Sequence, residues 1–181
     1  MKIGIDIDDV ITDTSKIIKE YIIKNGKEEE FSDYMEEIIK GETPTKEIKK
    51  FMNENLNEML RKSEIKENCI KVINEIKNKG HEIYLITARG NLMCPNIEEE
   101  TIENLKEIKY EKAFFNIHGK GKVCKENEID IMIDDSIKNL KEVEKEGIKT
   151  ILFETEVNKK NIEFNNFEKV SNWMELLEKI K

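Results

Sequence analysis

The sequence lacks any long apolar run. Of its 181 residues, 38% are hydrophobic and 39% are charged, and lysine and glutamate dominate the charged set. This composition predicts well-solvated helices around one core and offers no stretch long enough to cross a membrane. A pattern typical of a buried strand already begins at residue 3, so we expect no cleavable leader. We therefore expect a soluble, cytoplasmic protein with no membrane partner.

Histidine and cysteine are scarce, and their positions disfavour a zinc site. The histidines His81 and His118 are isolated in the sequence. The cysteines Cys69, Cys94 and Cys124 are odd in number and widely spaced, without the paired spacing of metal-binding cysteines. This pattern is typical of reduced, partly buried thiols in a cytosolic protein rather than of a disulfide framework.

An excess of positive charge is absent as well. The formal net charge is −8 at pH 7. Bulk electrostatics therefore do not favour a nucleic acid polymer or an anionic membrane as partner. A phosphorylated substrate would have to be held by local positive groups. The sequence has no internal repeat or low-complexity linker, and its length suits one core domain with a modest insertion.

The first segment, Lys2–Ile11, is the most informative one. Its β-branched run is of strand length and ends abruptly in acidic residues. Asp6 and Asp8 are alternate residues and share a face at the carboxyl end of this strand, where open α/β sheets bind ligands. Two carboxylates there repel each other, so they need a cation, a shared proton or a catalytic task. For Asp9 and Asp13 we favour a simpler role, as the acidic turn that caps the next helix.

Helical periodicity runs through residues 14–65, and no strand pattern interrupts it. The helices predicted around this segment are about 12–25, 32–41 and 44–62. From residue 66 onward, predicted strands alternate with helices. The strands are about 81–87, 113–117, 129–133 and 149–153, and the helices are about 67–79, 97–108, 120–127, 137–146 and a last one capped by Ser171.

This alternation implies a parallel sheet that is covered by helices on both faces. The prediction is therefore an α/β fold with a Rossmann-like, three-layer α/β/α core. Residues 1–13 and 66–181 would form that core. Residues 14–65 would form a small, all-helical cap inserted after the first strand.

Four groups of polar residues lie close to predicted strand ends. They are Asp6 with Asp8, then Thr87, then the lysines Lys120, Lys122 and Lys125, and finally Asp134 with Asp135. Together these groups suit phosphoryl transfer: a carboxylate attacks phosphorus, a metal neutralises charge, and a hydroxyl and an ammonium hold the remaining oxygens. Ligands that are all oxygen, together with a substrate phosphate, suit Mg²⁺.

Three segments together resemble a known superfamily. They are I-D-I-D-D-V at 5–10, L-I-T-A-R at 85–89 and I-M-I-D-D-S at 131–136. The set resembles the haloacid dehalogenase superfamily of aspartate-nucleophile phosphatases over nearly the whole chain, including a helical cap after the first motif. Within it, the chain is similar to the C-type 5′(3′)-deoxyribonucleotidase group and its bacterial relatives. The resemblance implies a sheet whose first strand lies between the second and the fourth.

The resemblance also implies roles for the acids. Asp6 would be the nucleophile and a Mg²⁺ ligand, and Asp134 would complete the metal site with Asp135 beside it. Asp8 would be the general acid and base, and would bind the metal only through its backbone carbonyl. A metal on Asp6 would keep that carboxylate ionised, whereas Asp8, near another carboxylate and off the metal, could hold a proton.

The remaining site residues implied by the resemblance would bind the phosphoryl group. Thr87 would donate its hydroxyl to a phosphoryl oxygen, with Ala88 and Arg89 beside it in the same substrate-binding string. For Arg89, pairing with an acid is an equal alternative. Lys120 is favoured as the catalytic lysine that bridges phosphate and nucleophile, and Lys122 is the next candidate.

Four aromatic residues of the predicted cap leave two interpretations open. They are Tyr21, Phe31, Tyr34 and Phe51. They could stack on a nucleobase, because every base offers a π face. Their helical spacing favours packing between cap helices instead.

The function implied is that of a Mg²⁺-dependent phosphomonoesterase that forms an aspartyl-phosphate. Its expected substrate is small and soluble, a nucleoside (deoxyribonucleotide) 5′-monophosphate, with another small phosphorylated metabolite as the alternative. A phospho-accepting receiver module of signalling would use similar groups, but it labels itself once, whereas a phosphatase turns over repeatedly. A ligand-binding protein without activity is a third interpretation, and the presence of every polar motif type argues against it. Whether the protein is a monomer or a homodimer is left open.

Overall fold

A six-stranded parallel sheet forms the centre of the protein. The computed structural model describes residues 1–29, 46–91 and 95–180. The strands are β1 Lys2–Ile5, β2 Glu82–Ile86, β3 Lys112–Phe114, β4 Ile131–Asp134, β5 Lys149–Phe153 and β6 Lys169–Val170. Their order is β3-β2-β1-β4-β5-β6, and every neighbouring pair is parallel. The predicted parallel α/β fold is confirmed, and β1 lies between β2 and β4 as expected.

Helices cover both faces of this sheet. Within the described ranges they are α1 Thr14–Lys24, α2 Lys46–Lys62, α3 Cys69–Asn78, α4 Ile97–Asn104, α5 Lys120–Glu126, α6 Ile137–Glu144 and α7 Trp173–Lys179. Apolar side chains of α3 and α7 pack on one face of the sheet, and those of α5 and α6 pack on the other. This arrangement is the predicted three-layer α/β/α core. The predicted helix at 32–41 and the helix start at Thr43–Pro44 lie outside the described residues.

The central strand is packed closely on both faces. Ile3 and Ile5 are fully buried against the α3 and α7 side. On the opposite face, a Cβ at Gly4 would lie only 2.8 Å from the Sδ atom of Met132. Because protein interiors leave little free volume, this close approach needs glycine. This tight packing fixes the carboxyl end of β1, and Asp6 is the next residue.

The last helix also reaches the loop that follows β1. Trp173 is 1% exposed, and its indole Nε1 donates a hydrogen bond to the backbone oxygen of Val10 at 3.0 Å. The N-cap of this helix is Asn172, whose Oδ1 accepts a hydrogen bond from the Glu175 amide. The prediction that Ser171 is the cap is therefore wrong by one residue, although the Ser171 hydroxyl does bond the Glu175 carboxylate.

The structure differs from the predicted elements at two other places. The helix predicted over 97–108 ends at Asn104, because the next amides, those of Lys106 and Ile108, bond carbonyls only three residues back, as in turns. Strand β6 was not predicted because it has only two residues and therefore no readable alternation.

Helices α1 and α2 pack against each other through apolar side chains. Tyr21 and Phe51 lie in this contact around Ile22 and Ile48, which confirms the packing interpretation for these two aromatics. Phe31 and Tyr34 lie outside the described residues. Leu60 of α2 also packs on Ile97 of α4. The assignment of 14–65 as a cap domain stays a prediction.

Two further findings concern the cysteines and the helices. Cys69 and Cys124 are free and buried, and burial raises the pKa of both thiols, to about 12 for Cys124. Cys94 lies outside the described residues. Within the ranges described, none of the helices is both long enough and apolar enough to cross a membrane.

Candidate active site

The carboxyl ends of β1 and β4 bring three carboxylates together. Asp6 directly follows β1, and its amide donates to the Ile133 oxygen of β4 at 2.9 Å. Asp134 ends β4, and Asp135 follows it. One carboxylate oxygen from each of the three aspartates lies within 4.8 Å of the others. The strand order reverses between β1 and β4, so the cluster occupies the position where open α/β sheets form a ligand crevice.

Lys120 lies between two of these acids. Its Nζ is 2.6 Å from Asp6 Oδ1 and 2.7 Å from Asp134 Oδ2, and the residue is 1% exposed. Burial lowers the pKa of Lys120, but the carboxylates of Asp134 and Asp6 outweigh it and raise the pKa overall. Burial also raises the pKa of Asp6 to about 7 despite the Lys120 ammonium, with Asp134 and Asp8 adding to the rise. The site therefore holds its charges out of water and close together.

The other two candidate lysines do not reach the acids. The Lys122 side chain is 81% exposed, and its Nζ lies 3.7 Å from Glu126. Lys125 pairs with Glu146 at 2.7 Å and is 68% exposed. Of the three lysines, the structure thus brings only Lys120 to the carboxylate cluster.

Asp134 is fixed by the segment that follows it. Its Oδ1 accepts from the Ser136 amide at 2.8 Å, and its Oδ2 accepts from Asn139 Nδ2 at 3.1 Å. Sequence reasoning missed Asn139. The available signal was its position in the first turn of α6, five residues after Asp134, where a helical side chain can turn back towards the strand end.

Asp135 is a full member of the cluster, which the sequence left open. Burial raises its pKa well above the ordinary value, and Asp134 and Asp6 add to that rise. Its backbone oxygen accepts a hydrogen bond from Asn158 Nδ2 at 3.0 Å. Asn158 is 7% exposed and so ties the chain after β5 to this end of β4.

Asp8 is paired with Arg89. Arg89 Nη2 lies 2.7 Å from Asp8 Oδ1, and Arg89 Nε lies 3.1 Å from Asp8 Oδ2. The Thr14 hydroxyl also donates to Asp8 Oδ1 at 2.6 Å. Burial raises the pKa of Asp8, but Arg89 and Thr14 outweigh this effect and the pKa is lowered overall. In the site without substrate, this favours the ionised form of Asp8 over the protonated form that the sequence suggested, and its role as general acid and base stays a prediction.

Thr87 and Ala88 follow β2, beside the same crevice. Thr87 is fully buried, and its Oγ1 accepts a hydrogen bond from the Arg89 amide at 3.1 Å. Its backbone amide donates a hydrogen bond to the Phe114 oxygen, and its backbone oxygen accepts one from the Ile117 amide. Ala88 is half-buried.

The outer acids of the first loop have different tasks. Asp9 has a backbone φ of 59°, and its Oδ1 accepts from the Ser15 amide at 2.8 Å, which confirms its role at the start of α1. Asp13 occupies the N-cap position but makes no capping bond, and its carboxylate pairs with Lys66 instead. The prediction of a capping side chain is therefore wrong for Asp13.

The carboxylate cluster fits a divalent cation. Its three donors are oxygens, and all three are inside a volume small enough for one ion to contact them. No Zn²⁺-type set of histidines and cysteines was found within the described ranges. A cation at this place would relieve the repulsion that raises the pKa values of Asp6 and Asp135.

A protein-family model and several solved structures match this chain. The family described as 5′ nucleotidase, deoxy (pyrimidine), cytosolic type C protein matches residues 1–181. No curated protein gives a significant match by sequence. Matching structures share the fold at low identity, and likeness at this level concerns the fold alone.

Three of those structures match nearly the whole chain. A haloacid dehalogenase-like family hydrolase from Streptococcus pneumoniae has a TM-score of 0.64 at 11% identity, covering 99% of this chain and 98% of that one. CbbY from Rhodobacter sphaeroides in complex with phosphate has a TM-score of 0.64 at 14% identity, covering 97% and 95%. A haloacid dehalogenase-like family hydrolase from Xanthomonas campestris has a TM-score of 0.63 at 13% identity, covering 99% and 90%.

Proposed function

Since this chain belongs to the family of cytosolic type C deoxypyrimidine 5′-nucleotidases, within the haloacid dehalogenase superfamily, we propose that it hydrolyses a nucleoside 5′-monophosphate through an aspartyl-phosphate, with Mg²⁺ as its metal. Membership makes the protein a phosphoric monoester hydrolase. The observation that carries the proposal is the buried contact of Lys120 with both Asp6 and Asp134 at two neighbouring strand ends. We also propose a cytoplasmic location.

In the first step, an Asp6 carboxylate oxygen attacks phosphorus, and the bond between phosphorus and the departing alkoxide oxygen breaks. The Lys120 ammonium, which lies beside Asp6, would donate a hydrogen bond to one phosphoryl oxygen. The Thr87 hydroxyl would donate to another. Asp6, Asp134 and Asp135 would bind Mg²⁺, with the backbone carbonyl of Asp8 as a further ligand. The bound metal would neutralise phosphate charge.

In the second step, water attacks the phosphorus of the aspartyl-phosphate and the Asp6–phosphorus bond breaks. Asp8 would take the proton from this water. For the first step Asp8 would take up a proton from solvent once the phosphate of the substrate lies beside it, because that negative charge raises its pKa, and it would then give this proton to the departing oxygen. The pairing of Asp8 with Arg89 and Thr14 supports the role of base most directly, because it favours the ionised carboxylate. Restoration of free Asp6 completes a turnover.

The substrate would be small. We propose that residues 14–65 act as a cap over the crevice, and the contacts of α2 with α4 support a location beside the site. The net charge of −8 disfavours phosphorylated polyanions. The test is a phosphate-release screen over nucleotides, sugar phosphates and small phosphorylated acids with Mg²⁺, alongside a folded phosphoprotein. Fast turnover of the phosphoprotein, or one self-labelling event without turnover, would contradict the proposal.

Mg²⁺ is expected to stabilise the folded protein. Binding to the folded state alone at a hundred times the dissociation constant contributes about 2.7 kcal/mol, or about 5 to 10 °C in Tm for a chain of this size. Asp134→Asn should remove most of this shift, because it replaces one carboxylate of the cluster with an amide. Melting curves over a Mg²⁺ titration measure the effect.

Asp130→Asn is the matched control for that experiment. Asp130 lies at the opposite end of β4, where it accepts a hydrogen bond from the Lys2 amide at 2.7 Å. This variant should keep the full Mg²⁺-dependent shift of the wild type. A shift that persists in Asp134→Asn would show that Asp134 is not a ligand.

Replacing Lys120 is expected to lower kcat/KM strongly. Lys120→Met removes the ammonium that lies against Asp6, and losing one such preorganised donor costs about a hundredfold to a thousandfold. Lys122→Met, two residues away on the same helix, tests the alternative lysine and should have little effect because that side chain is 81% exposed. Steady-state kinetics at saturating Mg²⁺ compare the two. A larger loss in Lys122→Met would reverse the assignment.

A further inference from the structure

Arg89 contacts Asp8 in a geometry that substrate binding does not explain. We infer that Arg89 is a positioning residue, which holds the Asp8 carboxylate in place from behind and does not bind the phosphoryl group. The inference rests on the proposed function, since it concerns the residue that would move the proton. It differs from the expectation in which Arg89 belonged to the substrate-binding string.

The contact between the two side chains is bidentate. Nη2 and Nε of Arg89 bond different oxygens of Asp8, at 2.7 Å and 3.1 Å. A planar fork of this kind fixes the rotation of the carboxylate as well as its location. The exposed part of the Asp8 carboxylate is therefore held in a single orientation.

The rest of the guanidinium is bound to buried threonines. Arg89 Nη1 donates to the Thr101 hydroxyl at 3.2 Å, and Nη2 donates to the Thr12 hydroxyl at 3.2 Å. Thr101 is 1% exposed on α4, and Thr12 is 2% exposed just before α1. All three nitrogens of Arg89 are thus engaged by the protein. The fork is braced against helix α4 through Thr101 and against the loop before α1 through Thr12.

Burial gives the direction of the contact. The Arg89 side chain is 3% exposed, whereas the Asp8 side chain is 32% exposed. The carboxylate therefore lies on the open side of the pair, and the guanidinium lies on the covered side. A phosphate that enters the crevice meets Asp8 first and would have to displace it to reach Arg89.

The residue type fits this task as well. Arg89 is one of two arginines among 31 basic residues, and the other is Arg61. A lysine ammonium is a single point of charge and cannot bond both carboxylate oxygens and two hydroxyls in one plane. Arg89→Lys should therefore keep the charge but recover only part of the activity that a neutral replacement loses.

The test measures turnover of 4-nitrophenyl phosphate and its inhibition by inorganic phosphate. Arg89→Met should lower kcat about a hundredfold, the typical cost of an active-site group displaced by about 1 Å. The inhibition constant of phosphate should stay within about threefold of the wild type, because a binding contribution would appear there. The kcat of Arg89→Lys should lie between the kcat of the wild type and that of Arg89→Met. Arg61→Met, which removes an exposed partner of Glu100, is the control and should keep near wild-type kcat.

A double-mutant cycle separates positioning from direct action. In an Asp8→Asn background, Arg89→Met should cost at most about threefold more, because Arg89 acts only through the carboxylate. A full additional loss there, or a phosphate inhibition constant raised tenfold or more, would overturn the inference in favour of substrate binding.

Folding failure and functional failure are distinguishable in this design. If Arg89→Met does not melt cooperatively, Thr101→Val carries the test, since it removes one brace and leaves the fork; kcat should fall and the phosphate inhibition constant should not move. Unchanged kcat in the folded variants would overturn the inference while wild-type turnover persists. A wild type that releases no phosphate from any substrate would overturn the proposed function first, and the inference with it.

Discussion

Asp6→Asn is expected to abolish both turnover and covalent phosphorylation of the protein. An amide is a poor nucleophile and a poor ligand for a divalent cation, so the variant loses the attacking atom and one donor of the cluster. Asparagine has nearly the same shape as aspartate, so the packing around β1 should survive. The burst of product from an activated aryl phosphate should disappear.

Two measurements check this result. Pre-steady-state kinetics with 4-nitrophenyl phosphate give the burst, and mass spectrometry of acid-quenched protein locates the phosphoryl group. Asp13→Asn is the control, since Asp13 belongs to the same loop but pairs with Lys66 outside the cluster; it should keep both burst and label. A phosphoryl group found on another residue, or a burst that survives in Asp6→Asn, would refute Asp6 as nucleophile.

Asp8→Asn is expected to slow hydrolysis of the intermediate by about a hundredfold to ten-thousandfold, the usual contribution of a general acid or base. The nucleophile stays intact, so an activated aryl phosphate, whose leaving group scarcely needs a proton, should still label Asp6. The amide cannot take a proton from water, and the labelled protein should accumulate. In the wild type, pairing with Arg89 lowers the pKa of this carboxylate and so favours the ionised form that the proposed step requires.

The labelled fraction at steady state is the quantity to measure. Quenched-flow samples of Asp8→Asn should carry mostly phosphorylated Asp6, whereas wild-type samples should carry little. Wild-type turnover in Asp8→Asn, or a loss of labelling equal to that of Asp6→Asn, would count against separate roles for the two acids.

Much of the fold could be predicted because strands and helices leave different periodicities. The strand predicted at 149–153 matches β5, and the helix predicted to end near Lys62 does so. Secondary-structure prediction failed for β6, because two residues are too few to show a period. It also failed at the end of α4, where a buried apolar residue continues the helical spacing beyond the helix. Ile108 is such a residue, since it is buried in a turn after α4.

The candidate site was predictable in so far as it lies at strand ends. The residues alone did not predict which lysine reaches the site. Lys120 and Lys122 differ by about 200° of rotation around a helix, so the residue at which α5 begins decides which of them faces the sheet. The contact of Arg89 with Asp8 joins residues 81 positions apart. No local pattern encodes such a pair, and with it the lowered pKa of Asp8 escaped prediction.

Trp173 gives the protein an optical reporter of its own. It is the only tryptophan in the sequence, and its indole bonds the backbone of the loop that begins with Asp6 and reaches Val10. Indole emission is sensitive to hydrogen bonding and to the polarity around the ring. A rearrangement of this loop that alters the Trp173–Val10 bond when metal or phosphate binds should therefore change the fluorescence of the native chain, and binding could then be titrated without a dye, a label or a turnover assay.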